Sequence, residues 1–497
     1  MKNPTHSSAP TPKPSAWLSA IPFLTLVSLL SATIAIFGSD ALSGPSQIAL
    51  LTSTAVCIVL GMAFCGVQWR TIEDNISEKI RDISISVCIL LLIGMLSASW
   101  MVSGIVPTLI CYGIRIIHPA VFLVSACIIS AMVSLLTGSS WTTIATIGIA
   151  LLGIGRALGT ADGWTAGAII SGAYFGDKIS PLSDTTVLAS SVSGTPLFRH
   201  IRYMMLTTAP TLLITLMIFG IAGIWTGANA AGDPDTYITA LSHNFRITPW
   251  LLLVPAITAY VIYRKVPSLV VLFASSAMAM AMAVLMQRHI VMGIGGAATS
   301  GDTLVTLFRG IVTTLATSTS IDTGVPLLDN LVSTRGMAGM MDTIWLILCA
   351  MIFGGAMTAC GMLRSFLEAI FRQLIRTRAG LVGATVLNGI IMNLITGDQY
   401  ISIILSANMF KDEYTRQGYE SRLLSRSTED SATVVSVLIP WNTCGMTQAT
   451  VLGVPTLTYL PYTFFCLLSP IMSVVHAIFG WKIKRHPEWM VSEQSKK

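Results

Sequence analysis

Apolar runs of about 20 residues recur along the whole sequence, and no other feature limits the fold as much. A run of that length, folded as a helix, spans the hydrocarbon core of a bilayer, which is about 30 Å thick. A helix also pairs its own backbone polar groups, as a lipid environment requires. Only 10% of the 497 residues are charged, against about a quarter in soluble domains. The sequence therefore predicts an all-α polytopic membrane protein.

The predicted membrane segments number about 12 to 14, and several of them are short or interrupted. They lie at 17–37, 47–68, 83–104, 118–137, 139–158, 166–190, 203–225, 248–263, 267–286, 341–362, 379–396, 398–410, 427–443 and 456–478. Between them, the stretches 70–84 and 364–378 combine a basic face with an apolar one, which is typical of helices at the headgroup boundary. The longest polar connection, 287–340, is expected to hold a re-entrant or outer-face element.

The distribution of Lys and Arg predicts the orientation of these segments, because short cytoplasmic loops carry an excess of both residues. The chain has 29 of them. With the N-terminus inside and alternating segments, the outer side receives only Arg115, Arg156, Arg246, Arg288, Arg309 and Arg335. We therefore expect both termini in the cytoplasm. The net charge of +6 follows from this bias and gives no reason to expect nucleic acid as a partner.

Two parts of the chain share a pattern that predicts an internal repeat. The "LLTGSSW" at 135–141 resembles the "LITGDQY" at 394–400, and an acid followed by hydroxyl residues comes later in each part, at 182–195 and 428–445. Each part holds five predicted segments, and the two parts begin on opposite sides of the membrane. We therefore expect two inverted five-helix repeats, with the binding site at the repeat interface, as in many secondary transporters.

The repeat divides the chain into six expected regions. They are a disordered cytoplasmic tail (1–16), N-terminal membrane helices with an interfacial helix (17–82), a first transport repeat (83–225), connecting helices with an outer loop (226–340), a second, inverted repeat (341–478) and a cytoplasmic tail (479–497). The first tail is polar and rich in Pro and Ser, a composition typical of disorder.

The stretch "SGAYFGDKISPLSDTT" at 171–186 places charged residues between two apolar runs. An acid inside a membrane segment is costly and marks a functional position by default. Pro181 lies between Asp177 and Asp184, and it predicts a helix break because proline cannot donate to the helix ladder. Freed carbonyls, together with carboxylate and hydroxyl oxygens, suit a hard cation such as sodium. The oxygen-bearing side chains are those of Ser183, Asp184, Thr185 and Thr186.

Other interpretations of this stretch stay open. Lys178 is either the counter-ion of Asp177 or a group that titrates during a transport cycle. A structural ion pair between these two residues at a loop edge is also compatible with the sequence, and the "SDTT" at 183–186 is also compatible with a simple helix cap.

A second polar cluster lies in the other half of the chain. It begins with Glu429, Asp430, Ser431 and Thr433, and the "PWNTCG" at 440–445 follows. We predict a second helix break there, with the amide of Asn442 exposed, and we predict Asp430 and Thr433 as site residues. Glu429 follows a basic loop, so that an interfacial position and a place in the site are both open.

Two "TG" pairs, at 137–138 and 396–397, each separate two apolar runs. Such spacing predicts hairpins whose tips line a cavity, because irregular backbone at membrane depth needs a protein or water environment. Asp398 directly follows the second pair and joins the predicted site. The alternative is an ordinary tight turn at the membrane surface.

Several classes of function find no support in the sequence. There is no Walker A, HExxH or G-x-S-x-G motif, and the histidines show no metal-ligand spacing. No nucleophile–base pair stands out, so that we expect a transporter without cofactors rather than an enzyme. The nine cysteines are scattered singly and predict no disulfide framework. Without an ATP-binding motif, transport would be driven by an ion gradient.

The "GDKISPLSDTT" at 176–186 resembles the signature of the NhaC family of sodium/proton antiporters. The "GSSWTT" at 138–143 and the "PWNTCG" at 440–445 are similar to other patches of that family, and the resemblance covers roughly residues 83–478. It implies an inverted-repeat antiporter of the bacterial inner membrane that expels sodium in exchange for protons. The family's polar signature would fall on Asp177, Ser183, Asp184 and Thr185, with Asp430 and Asn442 as its counterpart in the second half.

The expected mechanism is competition between sodium and protons for the same carboxylates. Asp184 is the first choice for the exchanging acid, with Asp430 or Asp177 as its partner, and Asp184 and Asp430 are the expected oxygen ligands of the transported sodium. The resemblance also covers exchangers that couple sodium and protons to malate and lactate, for which Lys178 would be the cationic anchor. A channel is a further alternative. The expected partners are sodium, protons and the bilayer, and a homodimer is left open.

Overall fold

The computed structural model describes residues 14–228, 234–264, 266–296, 303–321, 323, 329, 332–371 and 374–483. In this part of the chain the structure is built from helices, and the one β contact found there is a single bridge between Thr319 and Thr334. The predicted all-α class is confirmed. The predicted tails lie mostly outside the described residues, which begin at Pro14 and end at Ile483.

The helices before residue 200 supply the N-terminal region and most of the first half. They are α1 (Ala16–Phe37), α2 (Pro45–Cys65), α3 (Trp69–Asp82), α4 (Ser84–Val102), α5 (Ile105–Ile116), α6 (Phe122–Thr137), α7 (Ser140–Thr143), α8 (Ile149–Ala157), α9 (Asp162–Ile179), α10 (Asp184–Ser193) and α11 (Leu197–Ala228). A π-helical turn, Ile144–Gly148, joins α7 to α8.

The later helices form the connecting region and the second half. They are α12 (Pro234–Asn244), α13 (Leu253–Tyr263), α14 (Ser268–Met286), α15 (Arg288–Ile294), α16 (Thr303–Ala316), α17 (Met341–Ala359), α18 (Met362–Phe371), α19 (Arg378–Thr396), α20 (Gln399–Arg416), α21 (Ser421–Thr428), α22 (Thr443–Leu452), α23 (Thr456–Tyr459) and α24 (Phe464–Phe479). A second π-helical turn, Glu429–Thr433, continues α21.

Eight described helices are long and apolar enough to cross a membrane, and the number is ten if two bent pairs each count as one span. The number is smaller than the number of predicted segments for a physical reason. Four predicted segments, 139–158, 166–190, 398–410 and 427–443, coincide with hairpin arms and broken helices rather than with uninterrupted spans. These interruptions are the breaks and hairpins that the sequence predicts.

The two halves repeat the same local structure at a constant offset of 259 positions. The hairpin turns are at Gly138 and Gly397, with φ of 69° and 65°. The breaks contain Pro181 and Pro440, and the short helices after the breaks end at the left-handed Gly194 and Gly453, with φ of 72° and 66°. One hydrogen bond recurs as well: Ser134 to Ala173 (2.6 Å) matches Asn393 to Ala432 (2.7 Å).

This offset corrects one detail of the sequence comparison. The acid-and-hydroxyl stretches 182–195 and 428–445 resemble each other, but the offset aligns the first of them with 441–454. Asp184 therefore corresponds to Thr443, and Asp430 corresponds to Ser171. The resemblance misled because both stretches pair an acid with hydroxyl residues near a proline, whereas the proline itself fixes the true register. The inverted orientation of the two units stays a prediction.

The two halves pack against each other around the broken helices. Helix α10 contacts α20 and α21 of the second half, and α9 contacts α24. Within the first half α9 lies against α6, where Gly172 and Gly176 let the two backbones approach closely. On the other side of the molecule, α2 and α3 pack against α17, and α4 packs against α14. The second break thus lies inside the protein, where lipid does not reach its open backbone, whereas Pro181 and Asp184 of the first break are exposed.

Candidate ion-binding site

A cavity of about 280 Å³ lies beside the break between α9 and α10. Its polar walls come from the first hairpin tip, from the break itself and from the start of α20, and α4 and α14 close it. The polar lining residues are Ser86, Thr137, Ser139, Thr142, Asp177, Ser183, Asp184, Thr185, Ser268, Gln399 and Tyr400. Both halves of the chain therefore contribute to one cavity, as expected for a site at a repeat interface.

The break has a local cause in the sequence "SPLS". Helix α9 ends at Ile179, because Pro181 lacks a backbone N–H and restricts the residue before it. The Oγ atom of Ser183 then accepts a hydrogen bond from the backbone N–H of Thr186 (3.4 Å), which caps the start of α10. The predicted capping role of "SDTT" is thus real, and it coexists with a cavity position for the same residues.

Asp177 lies in the last turn of α9 and is held by the first hairpin tip. Its Oδ2 atom accepts hydrogen bonds from the backbone N–H of Ser140 (3.0 Å) and from the Ser140 hydroxyl (2.7 Å). The tip can approach because Gly138 has no side chain: a Cβ atom there would lie 2.7 Å from the backbone of Leu182. The side chain of Asp177 is buried and lines the cavity.

Asp184 is the exposed carboxylate of the cavity. It lies in the first turn of α10, and among the described residues no hydrogen bond or ion pair is formed by its side chain. Asp177 and Asp184 are close enough to interact electrostatically. The hydroxyls of Ser183 and Thr185, which lie 3.0 Å apart, line the same wall. Four of the predicted site residues are therefore brought together here.

Lys178 does not pair with Asp177. Its ammonium group donates to Oδ1 of Asp430 and to the hydroxyl of Ser469 (2.8 Å), and both charged side chains are fully buried. Thr207 donates to the other carboxylate oxygen of Asp430 (3.0 Å). The interpretation of Lys178 as counter-ion of Asp177 is wrong, and the pair that forms joins the two halves. Asp430 is absent from the lining of the cavity that Asp184 occupies.

Asp398 and Asn442 have structural partners in the second half. Asp398 caps α20 through the N–H of Ile401 (3.0 Å) and accepts from the hydroxyl of Thr443 (3.3 Å). Asn442 caps α22 through the N–H of Cys444 (3.0 Å), and its amide group donates to Asn393 (3.0 Å). These contacts tie the second hairpin tip to the second break. The neighbours Gln399 and Tyr400, rather than Asp398, line the cavity.

Glu429 is fully buried inside the protein. Neither of its carboxylate oxygens has a hydrogen-bond partner in the described structure, and the hydroxyl of Thr433, one turn on, has none either. Asp177, Lys178 and Asp430 are close enough to interact with Glu429 electrostatically. Glu429 is therefore a buried carboxylate that lies near these charges but is absent from the described lining of the cavity.

Each intramembrane aspartate has a hydroxyl residue at the equivalent position of the other half. At the offset of 259 positions, Asp177 corresponds to Ser436, Asp184 to Thr443, Asp398 to Ser139 and Asp430 to Ser171. The repeated backbone thus carries an asymmetric set of charges. The first break has two carboxylates beside it, Asp177 and Asp184, whereas the second has one, Asp398, together with hydroxyl and amide groups.

A family model described as "Na+/H+ antiporter family" matches residues 172–481. The chain is also similar in sequence to several named antiporters, and each match covers most of both chains. The Na(+)/H(+) antiporter NhaC of Bacillus subtilis is 36% identical over 82% of this chain and 87% of its own. The arginine/ornithine antiporter ArcD of Halobacterium salinarum is 34% identical, and the match covers 95% of this chain and 94% of ArcD. The malate-2H(+)/Na(+)-lactate antiporter of Bacillus subtilis is 33% identical, and the match covers 88% of this chain and 90% of that antiporter.

Proposed function

The chain belongs to the Na+/H+ antiporter family, and on that premise we propose that it exchanges sodium for protons across the bacterial inner membrane through the cavity at the first break. One observation carries the proposal. The described lining of this cavity includes two carboxylates, Asp177 and Asp184, and no basic side chain. A water-accessible cavity with that charge attracts a cation and repels an anion.

The chemistry of the lining supports a small, hard cation. Carboxylate and hydroxyl oxygens from Asp184, Ser183 and Thr185 lie at the start of α10, and such oxygens replace the hydration shell of a hard cation. Asp184 is the exchanging acid, since its carboxylate has no protein partner. Asp177 lies next to it, and hydrogen bonds from Ser140 hold the carboxylate of Asp177 in place. A proton or a sodium ion neutralises Asp184, and the two compete for it.

The buried pair of Lys178 and Asp430 has a different role in this proposal. Asp430 is already neutralised by an ammonium group, so that it is a poor ligand for a second cation. The pair links α9 to the segment that continues α21, and it therefore lies where one repeat would move against the other during alternating access. We place the cation at Asp184 and the inter-repeat contact at Asp430. We also keep the prediction that both termini lie on the cytoplasmic side.

A cationic organic substrate is the second candidate. The same two carboxylates would attract the side chain of arginine or ornithine, which the name of the Halobacterium salinarum relative mentions. An organic acid such as malate or lactate fits this cavity less well. Its carboxylate would need a cationic anchor, and Lys178, the residue that the sequence offers for this role, is bound to Asp430 and Ser469.

Proton movement in everted membrane vesicles tests the proposal. Sodium added to wild-type vesicles that hold a proton gradient should release protons, whereas arginine, ornithine, malate and lactate should not. Asp184→Asn should abolish the response, and Asp342→Asn, which changes an exposed acid at the start of α17, should keep it. A response to arginine or ornithine alone would select the second candidate. A full sodium response in the Asp184→Asn protein would refute the assigned site.

A further inference from the structure

A second cavity, of about 700 Å³, lies where α11, α21 and the end of α24 meet. It is lined by Phe198, Arg199, Arg202, Tyr203, Leu206, Arg422 and Lys482. Four of these seven residues are basic and none is acidic. The sodium/proton exchange proposed above uses none of them.

The positive charge of this cavity is only partly neutralised by the protein. Glu420 lies beside it and pairs with Arg199 (3.2 Å) and with Arg422. Arg202 and Lys482 have no carboxylate partner among the described residues. One acid thus faces four basic side chains, and the excess charge creates a potential that favours an anion.

One basic side chain of the cavity is held in place before any ligand binds. Arg422 lies over the ring of Tyr203 at 4.6 Å, and Arg426 lies against the same ring at 4.7 Å. Side chains that are already ordered lose less entropy when they bind a ligand.

The surroundings of the cavity match the boundary between lipid and water. Phe198 lines it with 74% of its surface exposed. Next to Lys482, the exposed rings of Phe479 and Trp481 stack with centroids 5.0 Å apart. Exposed aromatic rings beside Arg and Lys are typical of the membrane interface. The basic residues come from three separate parts of the chain, all of which the charge distribution assigns to the cytoplasmic side.

We propose that this cavity binds the phosphate headgroup of an anionic phospholipid. The planar guanidinium groups of Arg202 and Arg422 suit the oxygens of a phosphate, and the ammonium group of Lys482 adds a point charge. Leu206 and the exposed ring of Phe198 supply apolar contacts for the start of the acyl chains. A free phosphate ion would use the charges but not these apolar walls, so the site selects a lipid over an inorganic anion.

Lipid binding to the purified full-length chain tests this proposal. Native mass spectrometry, with phosphatidylglycerol, phosphatidylcholine or inorganic phosphate added in turn, would give the affinity for each probe. We expect phosphatidylglycerol to bind more tightly than the other two. In the variant Arg202→Gln/Lys482→Gln its affinity should fall roughly 20-fold, and each single substitution should lower it roughly fivefold. Both residues lie at the surface, and thermal unfolding without lipid checks that the variants fold.

The matched control removes two basic residues elsewhere. Arg264→Gln/Arg364→Gln changes exposed arginines that the sequence assigns to the same membrane side but that do not line the cavity. Phosphatidylglycerol affinity should stay at the wild-type value in this control. An equal loss in both double variants, equal binding of phosphatidylcholine, or inorganic phosphate bound as tightly as the lipid would each overturn the proposal. These results are independent of whether the protein exchanges sodium.

Discussion

Lys178 and Asp430 form a fully buried ion pair although 252 residues separate them in the sequence. The pair joins the two halves of the protein, and Ser469 and Thr207 complete its hydrogen bonds. Charges at this depth are stable only as a unit, because each partner removes the cost of leaving the other unpaired in a low-dielectric interior. The contact therefore ties the stability of one half to that of the other.

Removing one partner should be far more costly than removing both. We expect Lys178→Met to lower the free energy of unfolding by about 3–5 kcal/mol, since Asp430 is left as an uncompensated charge. Adding Asp430→Asn to that variant should restore part of the loss. Thermal unfolding of the four proteins in a double-mutant cycle measures the interaction. If the second substitution costs the same in the variant as in the wild type, the two residues do not interact.

The hydroxyl of Ser140 fixes the carboxylate of Asp177 in the cavity. Without this hydroxyl, Ser140 donates to Asp177 only through its backbone N–H. A hydrogen bond to a charged group is worth about 1.5–3 kcal/mol. We expect Ser140→Ala to weaken apparent sodium affinity roughly tenfold. Ser86→Ala, which changes a hydroxyl elsewhere in the same cavity, serves as the control. Equal sodium affinities in the two variants would contradict the role of Ser140.

Gly138 allows the first hairpin tip to approach the break. Its φ of 69° is left-handed, and an added Cβ would lie 2.7 Å from the backbone of Leu182. Gly194 has a nearly identical φ of 72° but open space around it. Gly194→Ala should therefore cost only backbone strain, about 1–2 kcal/mol, and Gly138→Ala should cost more and also impair transport. Thermal unfolding and sodium-driven proton release compare the two. Equal losses would show that the approach to Leu182 is unimportant.

The breaks and hairpins were predictable because their signals are local. Pro181 and Pro440 cannot continue a helix, and Gly138 and Gly397 allow the left-handed turn. Asp177 and Asp184 lie only seven residues apart and on either side of the same break, so the sequence also predicts that they lie close together. In these places a few neighbouring residues decide the conformation, and the sequence contains all the information that is needed.

The partners of the second cluster were not predictable in this way. Lys178 has Asp177 next to it in the sequence, and only the tertiary structure brings Asp430 closer. Thr207 and Ser469 are hydroxyl residues in apolar helices and carry no motif. The sequence leaves an interfacial position open for Glu429 because Arg422 and Arg426 precede it, although Arg426 itself is fully buried. Burial of charged residues depends on contacts between distant segments, which no local pattern contains.

Packing gives no reason for a carboxylate at position 429. The equivalent position of the first half is Ile170, which is also fully buried, and an unpartnered polar group in such a place costs about 1–3 kcal/mol. We therefore expect Glu429→Ile to raise the free energy of unfolding by roughly that amount and to lower sodium-driven proton release. A costly carboxylate that survives close to Asp177 and Lys178 fits a functional role better than a structural one.

Two further substitutions separate function from packing at this position. Glu429→Gln keeps the shape of the side chain but cannot carry a proton, so we expect proton release to fall as it does in Glu429→Ile. Glu420→Gln changes a partly buried carboxylate of the same region that pairs with Arg199 and Arg422, and it should leave the dependence of exchange on pH unchanged. Thermal unfolding and pH profiles of proton release in vesicles measure both properties. One pair of results would contradict the proposed role in transport: Glu429→Ile destabilises the protein, and Glu429→Gln exchanges at the wild-type rate. The carboxylate would then be a structural group whose partners are supplied by the cavity or by bound water.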